Sequence, residues 1–350
     1  MKNLKRVLKR KPDTEKKSTR ITNETIAEHR ERILAGGRRF KYPVQYTKNK
    51  LAINAIILGV LIVAVATLFC WWQLYKVQST ADFFYRLTRI IPVPVASVQG
   101  EKVRYGDYLL NYRTSEVYLN TVEKNVGTAA NSDSKYNYYK VQAMNNAIAD
   151  AYAHKLAREQ NVAISDKEVD AAINLSRQTA SKQGEVSESV YNRSVERLYG
   201  ISPSELRYYL KERLLRQAVE YAIDDKAEQS ANMIQAALKK NSDIAFDKLV
   251  ADINKKSPTK AQVLVSGWVS KDNKDGGIAA AAAKLKKGEF VGPIKPTSGD
   301  GYYFVKLLDT NNDGEINYQL IKIPLTEFTS QLEQLKNTSG IDYYITLPDA

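Results

Sequence analysis

Three hydrophobic patterns follow one another along the chain. The first is continuous: Leu51 to Trp72 reads LAINAIILGVLIVAVATLFCWW, without a charged residue. As a helix it extends ~33 Å, against roughly 30 Å of bilayer hydrocarbon. Because it is apolar on every side, it predicts a membrane-spanning helix rather than one packed on a soluble core. The second pattern has helical spacing. From Tyr136 to Asn161, Met144, Ile148, Ala151 and Leu156 fall on one side. Ser165 and Glu168 form the signature of a capping box ahead of Val169, Ala172 and Ile173. Val190 to Leu198 predicts a further helix, ended by Gly200, and Ser202-Pro203-Ser204-Glu205 opens the next, Ser202 to Ala222. There Leu206, Tyr209, Leu210, Leu214 and Val219 are expected to face inward. The third pattern mixes short strands (Val263–Val269, Gly292–Ile294, Gly301–Leu308, Tyr318–Ile323) with helices at Ala227–Lys240, Phe246–Asn254, Gly276–Lys287 and Thr326–Lys336.

Shorter signals fill the gaps. Residues 1–20 are Lys/Arg-rich and predict disorder, and Thr22 to Leu34 predicts a helix stopped by Gly36-Gly37. Thr80 to Ile91 reads as a linker helix. Val95 to Val103 reads as two strands around a tight turn at Gln99-Gly100. The chain thus divides into a basic tail (1–50), a transmembrane signal anchor (51–73), a linker helix (74–94), a mostly α-helical module (95–223), a small α+β domain (224–336) and a C-terminal tail (337–350).

Charge sharpens the topology. The net charge of +13 is concentrated at the start, where the first 50 residues hold 16 Lys/Arg against 5 Asp/Glu. Beside an apolar span such a cluster sets orientation or touches anionic lipid, so no nucleic-acid partner is expected. Arg38, Arg39, Lys41, Lys48 and Lys50 place the N-terminus in the cytoplasm and the rest outside, with Trp71, Trp72 and Tyr75 as an interfacial aromatic belt. A 50-residue leader is too long for a cleaved signal peptide, and Phe69 before Cys70 argues against a lipoprotein site. With Cys70 as the sole cysteine, no internal disulfide forms. Metal-ligating Cys/His clusters, phosphate-cradling Gly loops and Gly-x-Ser-x-Gly are all missing, so no metal or cofactor is expected. Asp309-Thr310-Asn311-Asn312-Asp313-Gly314 resembles the start of a calcium loop, but Leu320 stands where the bidentate Glu belongs, and a hairpin turn accounts for the same residues.

Two stretches resemble the SurA/PrsA-type extracytoplasmic foldases. VASVQGEKVRYGDYL, NAIADAYAHKLAREQNVAISDKEVDAAI and LYGISPSELRYYLKERLLRQAV, within Val95 to Ala222, resemble their N-terminal chaperone module. Ile244 to Ile323 resembles a parvulin-type prolyl isomerase domain, through AFDKLVADINKKSP, SGW at Ser266–Trp268, KLKKGEFVGPIKPTSGDGYYFVKLLD and the final IKI. The resemblance implies a membrane-anchored chaperone whose partners are unfolded or nascent exported polypeptides. It also implies peptide contacts at Trp268, Phe290, Tyr302 and Tyr303 in the α+β domain. Separately, 22 tyrosines against 8 phenylalanines make Tyr139 and Tyr209 of the helical module candidates to line a peptide groove, with ordinary half-buried helix packing as the alternative.

The catalytic residues of that family do not carry over. The chain has two histidines, His29 and His154, and neither lies in the parvulin-like stretch. The positions matching the isomerase site are Tyr303, Gln319, Lys256 and Ile278. Rotation about a peptide bond must pass a barrier of ~18–20 kcal/mol, and a tyrosine with a pKa near 10 is a poor acid or base at neutral pH. An isomerase fold without catalysis is the expectation. The alternatives are an active isomerase with a shifted site, or a dedicated envelope scaffold. The strand of first-strand character, INYQLIKI, comes last, as in a permuted domain or the start of a second, truncated copy.

Overall fold

The computed structural model describes residues 22–40, 43–123, 132–179, 184–297 and 299–348. Residues 1–20, expected to be disordered, lie outside them. The chain forms two compact units, Met1–Trp71 and Trp72–Ala350.

The first unit is helical. Helix α1 (Asn23–Phe40) runs through Gly36-Gly37 instead of stopping there. Each glycine costs about 1 kcal/mol against alanine in a helix, a penalty that does not by itself break one. Helix α2 (Pro43–Trp72) starts earlier than the apolar run, with proline in its first turn, where no backbone N–H is needed. The stretch Asn49–Val77 is, among the described residues, the one helix long and apolar enough to cross a membrane, and its apolar side chains from Leu51 to Phe69 are exposed.

The second unit begins with a π-helical turn, Gln73–Val77, whose Leu74 is buried. Tyr75 donates to the Pro94 carbonyl at 2.6 Å and meets the Tyr105 ring edge-on, while Tyr105 donates to the Leu74 carbonyl at 2.7 Å. Tyr75 was expected in an interfacial belt; a hydroxyl partner and a ring partner draw it into the fold. Helix α3 (Asp82–Ile90) likewise is no free linker, because Phe84, Tyr85 and Thr88 are buried. Strands β1 (Pro94–Val98) and β2 (Glu101–Arg104) pair antiparallel around Gln99-Gly100, both with positive φ, as a two-residue hairpin turn requires.

Helices α4 (Tyr105–Tyr118), α5 (Ser132–Glu159), α6 (Asp166–Thr179), α7 (Glu188–Tyr199) and α8 (Pro203–Ile223) follow. The predicted capping box forms, with Ser165 and Glu168 holding the start of α6, and a second one, Ser202 with Glu205, holds the start of α8. The core takes Tyr105, Leu109, Met144, Ile148, Ala151, Leu156 and Val219. On α8 the buried residues are Leu206, Leu215 and Val219, whereas Tyr209, Leu210 and Leu214 stay half-buried. The ladder expected to face inward is turned because part of α8 is polar on its inner side, as described below.

Helices α9 (Asp225–Lys240) and α10 (Phe246–Ile253) lead to a four-stranded antiparallel sheet of order β3-β6-β5-β4. Its strands are β3 (Gln262–Ser270), β4 (Phe290–Ile294), β5 (Gly301–Thr310) and β6 (Glu315–Pro324), with α11 (Ile278–Ala282) between β3 and β4. The expected Gly276–Lys287 helix shrinks to these five residues. One face of the sheet, with Tyr302, Phe304, Ile321 and Ile323, packs on Ala227, Ile234, Leu238, Phe246 and Leu249 of α9 and α10. The other, with Tyr303, Val305, Tyr318 and Leu320, packs on Ile278, Ala279 and Ala282 of α11. The β5–β6 connection is closed by Asn311, whose Oδ1 accepts from the N–H groups of Asp313 and Glu315.

The end of the chain is not a tail. Helix α12 (Glu327–Asn337) sets Phe328 against Tyr152 of α5, ring centroids 5.6 Å apart. Strand β7 (Ile341–Tyr343) then pairs with β1, giving a three-stranded sheet of order β2-β1-β7. The expected tail at 337–350 thus supplies a strand to the sheet at 94–104. Asp224 is buried and ties the parts together. One carboxylate oxygen accepts from the Ala227 N–H at the start of α9, the other from the Thr326 and Glu327 N–H groups at the start of α12.

Candidate functional site

Helix α8 carries Tyr208, Glu212, Arg216 and Glu220 at intervals of four, so they form one stripe. This stripe meets Asp107 of α4 and Asp150 and His154 of α5. Asp107 Oδ1 accepts from Tyr208 Oη at 2.8 Å and from Arg89 Nη1 at 3.1 Å. His154 Nε2 lies 2.5 Å from Glu212 Oε2. Arg216 Nη1 is 3.0 Å from Asp150 Oδ1, close enough for charge attraction but without hydrogen-bond alignment. Burial pushes the Asp150 carboxyl up to about 6, against the pull of Arg216. Burial also raises Asp107 and Glu220, and the hydrogen bond to Glu212 raises His154. The seam is therefore a set of charges kept in place by mutual pairing in a poorly hydrated setting. An open cleft of about 490 Å³ between α4 and α5 is lined by Tyr112, Glu116, Tyr136, Asn137 and Lys140. Tyr139 is half-buried beside it in sequence, edge-on to Tyr138, and Tyr209 is half-buried on α8.

In the sheet, the four positions matched to the isomerase site separate. Tyr303 and Ile278 share the core under α11. Gln319 lies on the opposite face, where its Nε2 donates to Asp247 Oδ2 at 2.9 Å. Lys256 is exposed in the loop after α10. On the Tyr303 face the residue from β6 is Tyr318, which hydrogen-bonds Asp275. Tyr303 itself donates to Asp300 Oδ2 at 2.9 Å, and Lys322 pairs with the same carboxylate. Burial raises both tyrosines above their ordinary pKa, so neither ionises at neutral pH. The expected aromatic peptide contacts separate too. Tyr302 and Tyr303 are 4% and 6% exposed and point to opposite faces, Phe290 is half-buried against the α9/α10 core, and Trp268 is 48% exposed on the edge strand β3. Successive residues of a strand cannot share a face, which is why Tyr302 and Tyr303 do not form one surface.

A family model described as SurA-like N-terminal domain matches residues 45–220, half of the chain. The chain belongs to the SurA-like N-terminal domain family. No curated protein and no solved structure matches it. The SurA-like match takes in the apolar helix from its first turn, the β1–β2 hairpin and α3 to α7, and most of α8. It therefore contains Tyr139, Tyr209, the cleft and all of the polar seam. The sheet with Trp268, Tyr303 and Tyr318 lies beyond it.

Sequence reasoning missed two groups. The seam was visible only as the interval of four among Tyr208, Glu212, Arg216 and Glu220, a spacing that a solvated helix face shows equally well. Tyr318 was missed by one residue of register, which exchanges the two faces of a strand.

Proposed function

We propose that the protein is a membrane-anchored extracytoplasmic chaperone that binds unfolded exported polypeptides. The observation that carries this reading is the SurA-like match over residues 45–220, since domains of that kind bind unfolded polypeptides in general. The apolar stretch Asn49–Val77 supports the anchor, and the Lys/Arg-rich segment before it supports a cytoplasmic N-terminus. Tethering holds the binding module at high local concentration where exported chains emerge.

The sheet-bearing part we read as a parvulin-like domain without catalysis. The inner position of β6, paired with β3 on one side and β5 on the other, supports a permuted domain over a second, truncated copy. Against catalysis stand the hydroxyls of Tyr303 and Tyr318, each held by a carboxylate, and the placement of Gln319 on the far face. Binding is tested with the full chain in lipid nanodiscs and a fluorescent, reduced and carboxymethylated protein as the unfolded probe. The reading expects saturable binding that the same protein in its native form does not compete, with no acceleration of proline isomerisation in a peptide assay. Absence of binding would remove the chaperone reading; acceleration at the rate of an active isomerase would remove the claim of lost catalysis.

A further inference from the structure

Between Tyr199 and Tyr343, among the described residues, the exposed large apolar side chains all stand on one strand. Leu264 is 46%, Val265 58% and Trp268 48% exposed, and each belongs to β3. The strand is also open along one side, since it ends the sheet and pairs with β6 alone. An edge of this kind presents backbone N–H and C=O groups with which another extended chain can pair.

The local sequence arranges those side chains. At Ser266-Gly267 the strand bulges, setting one extra residue against Tyr318. Gly267 supplies the positive φ of 67°, and Ser266 Oγ accepts from the Tyr318 N–H at 3.0 Å. Without the extra residue, Val265 and Trp268, three positions apart, would face opposite ways. With it both stand on one face, across from Gln319 and Asn317. Leu264, across from Leu320, stands on the other face. An added strand therefore meets apolar side chains on both of its faces. The bulge interrupts the ladder, so such a strand pairs along Gln262–Val265 and reaches Trp268 beyond it.

Charge selects the occupant. Residues 255–274 hold five exposed lysines, Lys255, Lys256, Lys260, Lys271 and Lys274, against one carboxylate, Asp272. Two carboxylates of the neighbouring α10 are already engaged, Asp247 with Gln319 and Asp252 with Lys255. The lysines lie beyond both ends of β3. A second copy of the chain, pairing edge to edge in either direction, sets lysines against lysines and is the poorer occupant. A segment with carboxylates outside an apolar stretch meets opposite charge at both ends.

We propose that the open edge of β3 takes an extended segment of an unfolded polypeptide as an added strand, apolar in its middle and acidic at its flanks. The inference rests on the chaperone reading above and names how one segment of the bound chain is held. Backbone hydrogen bonds supply the attraction that every sequence shares, and the apolar faces and lysines supply the preference.

The test uses the full chain in lipid nanodiscs and a fluorescein-labelled peptide of alternating Val and Thr, flanked by Glu, read by anisotropy. Its comparators are the same peptide N-methylated through its middle and one flanked by Lys. The chain variants are Val265→Lys and Trp268→Ser, both at exposed positions, with Ser189→Lys on α7 as control and unchanged thermal unfolding as the check on folding. Each comparator, and each β3 variant, is expected to bind roughly tenfold or more weakly, and Ser189→Lys to bind like the native chain. A loss in Val265→Lys cannot come from charge, because the added lysine attracts the acidic flanks. If the N-methylated peptide binds as well as the plain one, or if both β3 variants bind like the native chain, the inference falls. The chaperone reading then stands as long as the reduced and carboxymethylated protein still binds. If neither that protein nor the peptide binds, both fall. If the chain is a dimer in detergent that Val265→Lys dissociates, the edge belongs to a second copy and the inference is overturned.

Discussion

The helical and sheet-bearing parts of the second unit bury their polar groups in opposite ways. Among α3, α4, α5 and α8, charged side chains are drawn inside and paired: Asp107 with Arg89, Asp150 with Arg216, His154 with Glu212. The sheet instead packs apolar residues on both faces. Apart from Asp224 at its helix starts, the polar groups buried in that part are uncharged, Ser230, Ser257 and Thr259 bonded to one another, while Asp300 and Asp275 receive the hydroxyls of Tyr303 and Tyr318. The first arrangement makes stability depend on keeping every partner in place and on pH. The second makes it depend on volume. The same contrast bears on function, since the family match falls on the part with the buried charges.

The largest effects come from breaking each part by its own logic. Replacing Arg216 with Met leaves Asp150 buried without its cation and is expected to cost about 3–5 kcal/mol. Phe304→Ala, at a fully buried position in the sheet, is expected to cost a similar ~3–5 kcal/mol. Chemical denaturation of the full chain in detergent measures both. The comparison is sharpened by repeating it across pH: Arg216→Met changes the shape of the stability profile, and Phe304→Ala shifts it as a whole. Next in size is Asp224→Ala, which removes one carboxylate from two helix starts at about 1 kcal/mol per cap, roughly 2 kcal/mol together. If the loss is no larger than for a single cap, α9 and α12 are not held through this residue.

Smaller still is the pH response of the native chain. Asp150, raised to about 6, binds its proton more tightly folded than unfolded, so its contribution favours folding at low pH and falls as pH rises through 6. His154 is also raised, and the stability that it gains from Glu212 is likewise lost as pH rises past its folded pKa. Both signs agree: between pH 5 and pH 8 the chain loses on the order of 1 kcal/mol through Asp150 alone. Thermal unfolding should show a lower midpoint at pH 8, and Asp150→Asn should flatten the trend. The smallest expected effect is Tyr318→Phe, which removes one hydroxyl bond, about 0.5–1.5 kcal/mol. A much larger loss would mean that the sheet also depends on polar pairing.

What the sequence shows and what it hides follow the same division. The helices were legible because their ends carry local chemistry, as in Ser202 with Glu205, and their faces a local period, as in Met144, Ile148 and Ala151. The hairpin at Gln99-Gly100 was legible for the same reason. The register of β6 was not. Ile316, Tyr318 and Leu320 face one core while Ile321 and Ile323 face the other, so alternation carries no sign of which side holds the site. The seam was hidden because polar residues on a helix look alike whether water or a partner charge satisfies them. Strand β7 was hidden because its three residues, Ile341, Asp342 and Tyr343, become a strand through pairing with β1, some 245 positions away at Ser97 and Asp342. Tyr302 and Tyr303, assigned to one surface from family resemblance, are consecutive in β5, and a strand sends them to opposite faces.

The central claim is that this chain holds unfolded polypeptides. Its most direct test is light scattering from an aggregating unfolded protein, with the full chain in nanodiscs and empty nanodiscs as the control. The account predicts suppression of scattering at near-stoichiometric amounts of chain. Scattering that rises unchanged beside a folded, nanodisc-embedded chain would contradict it.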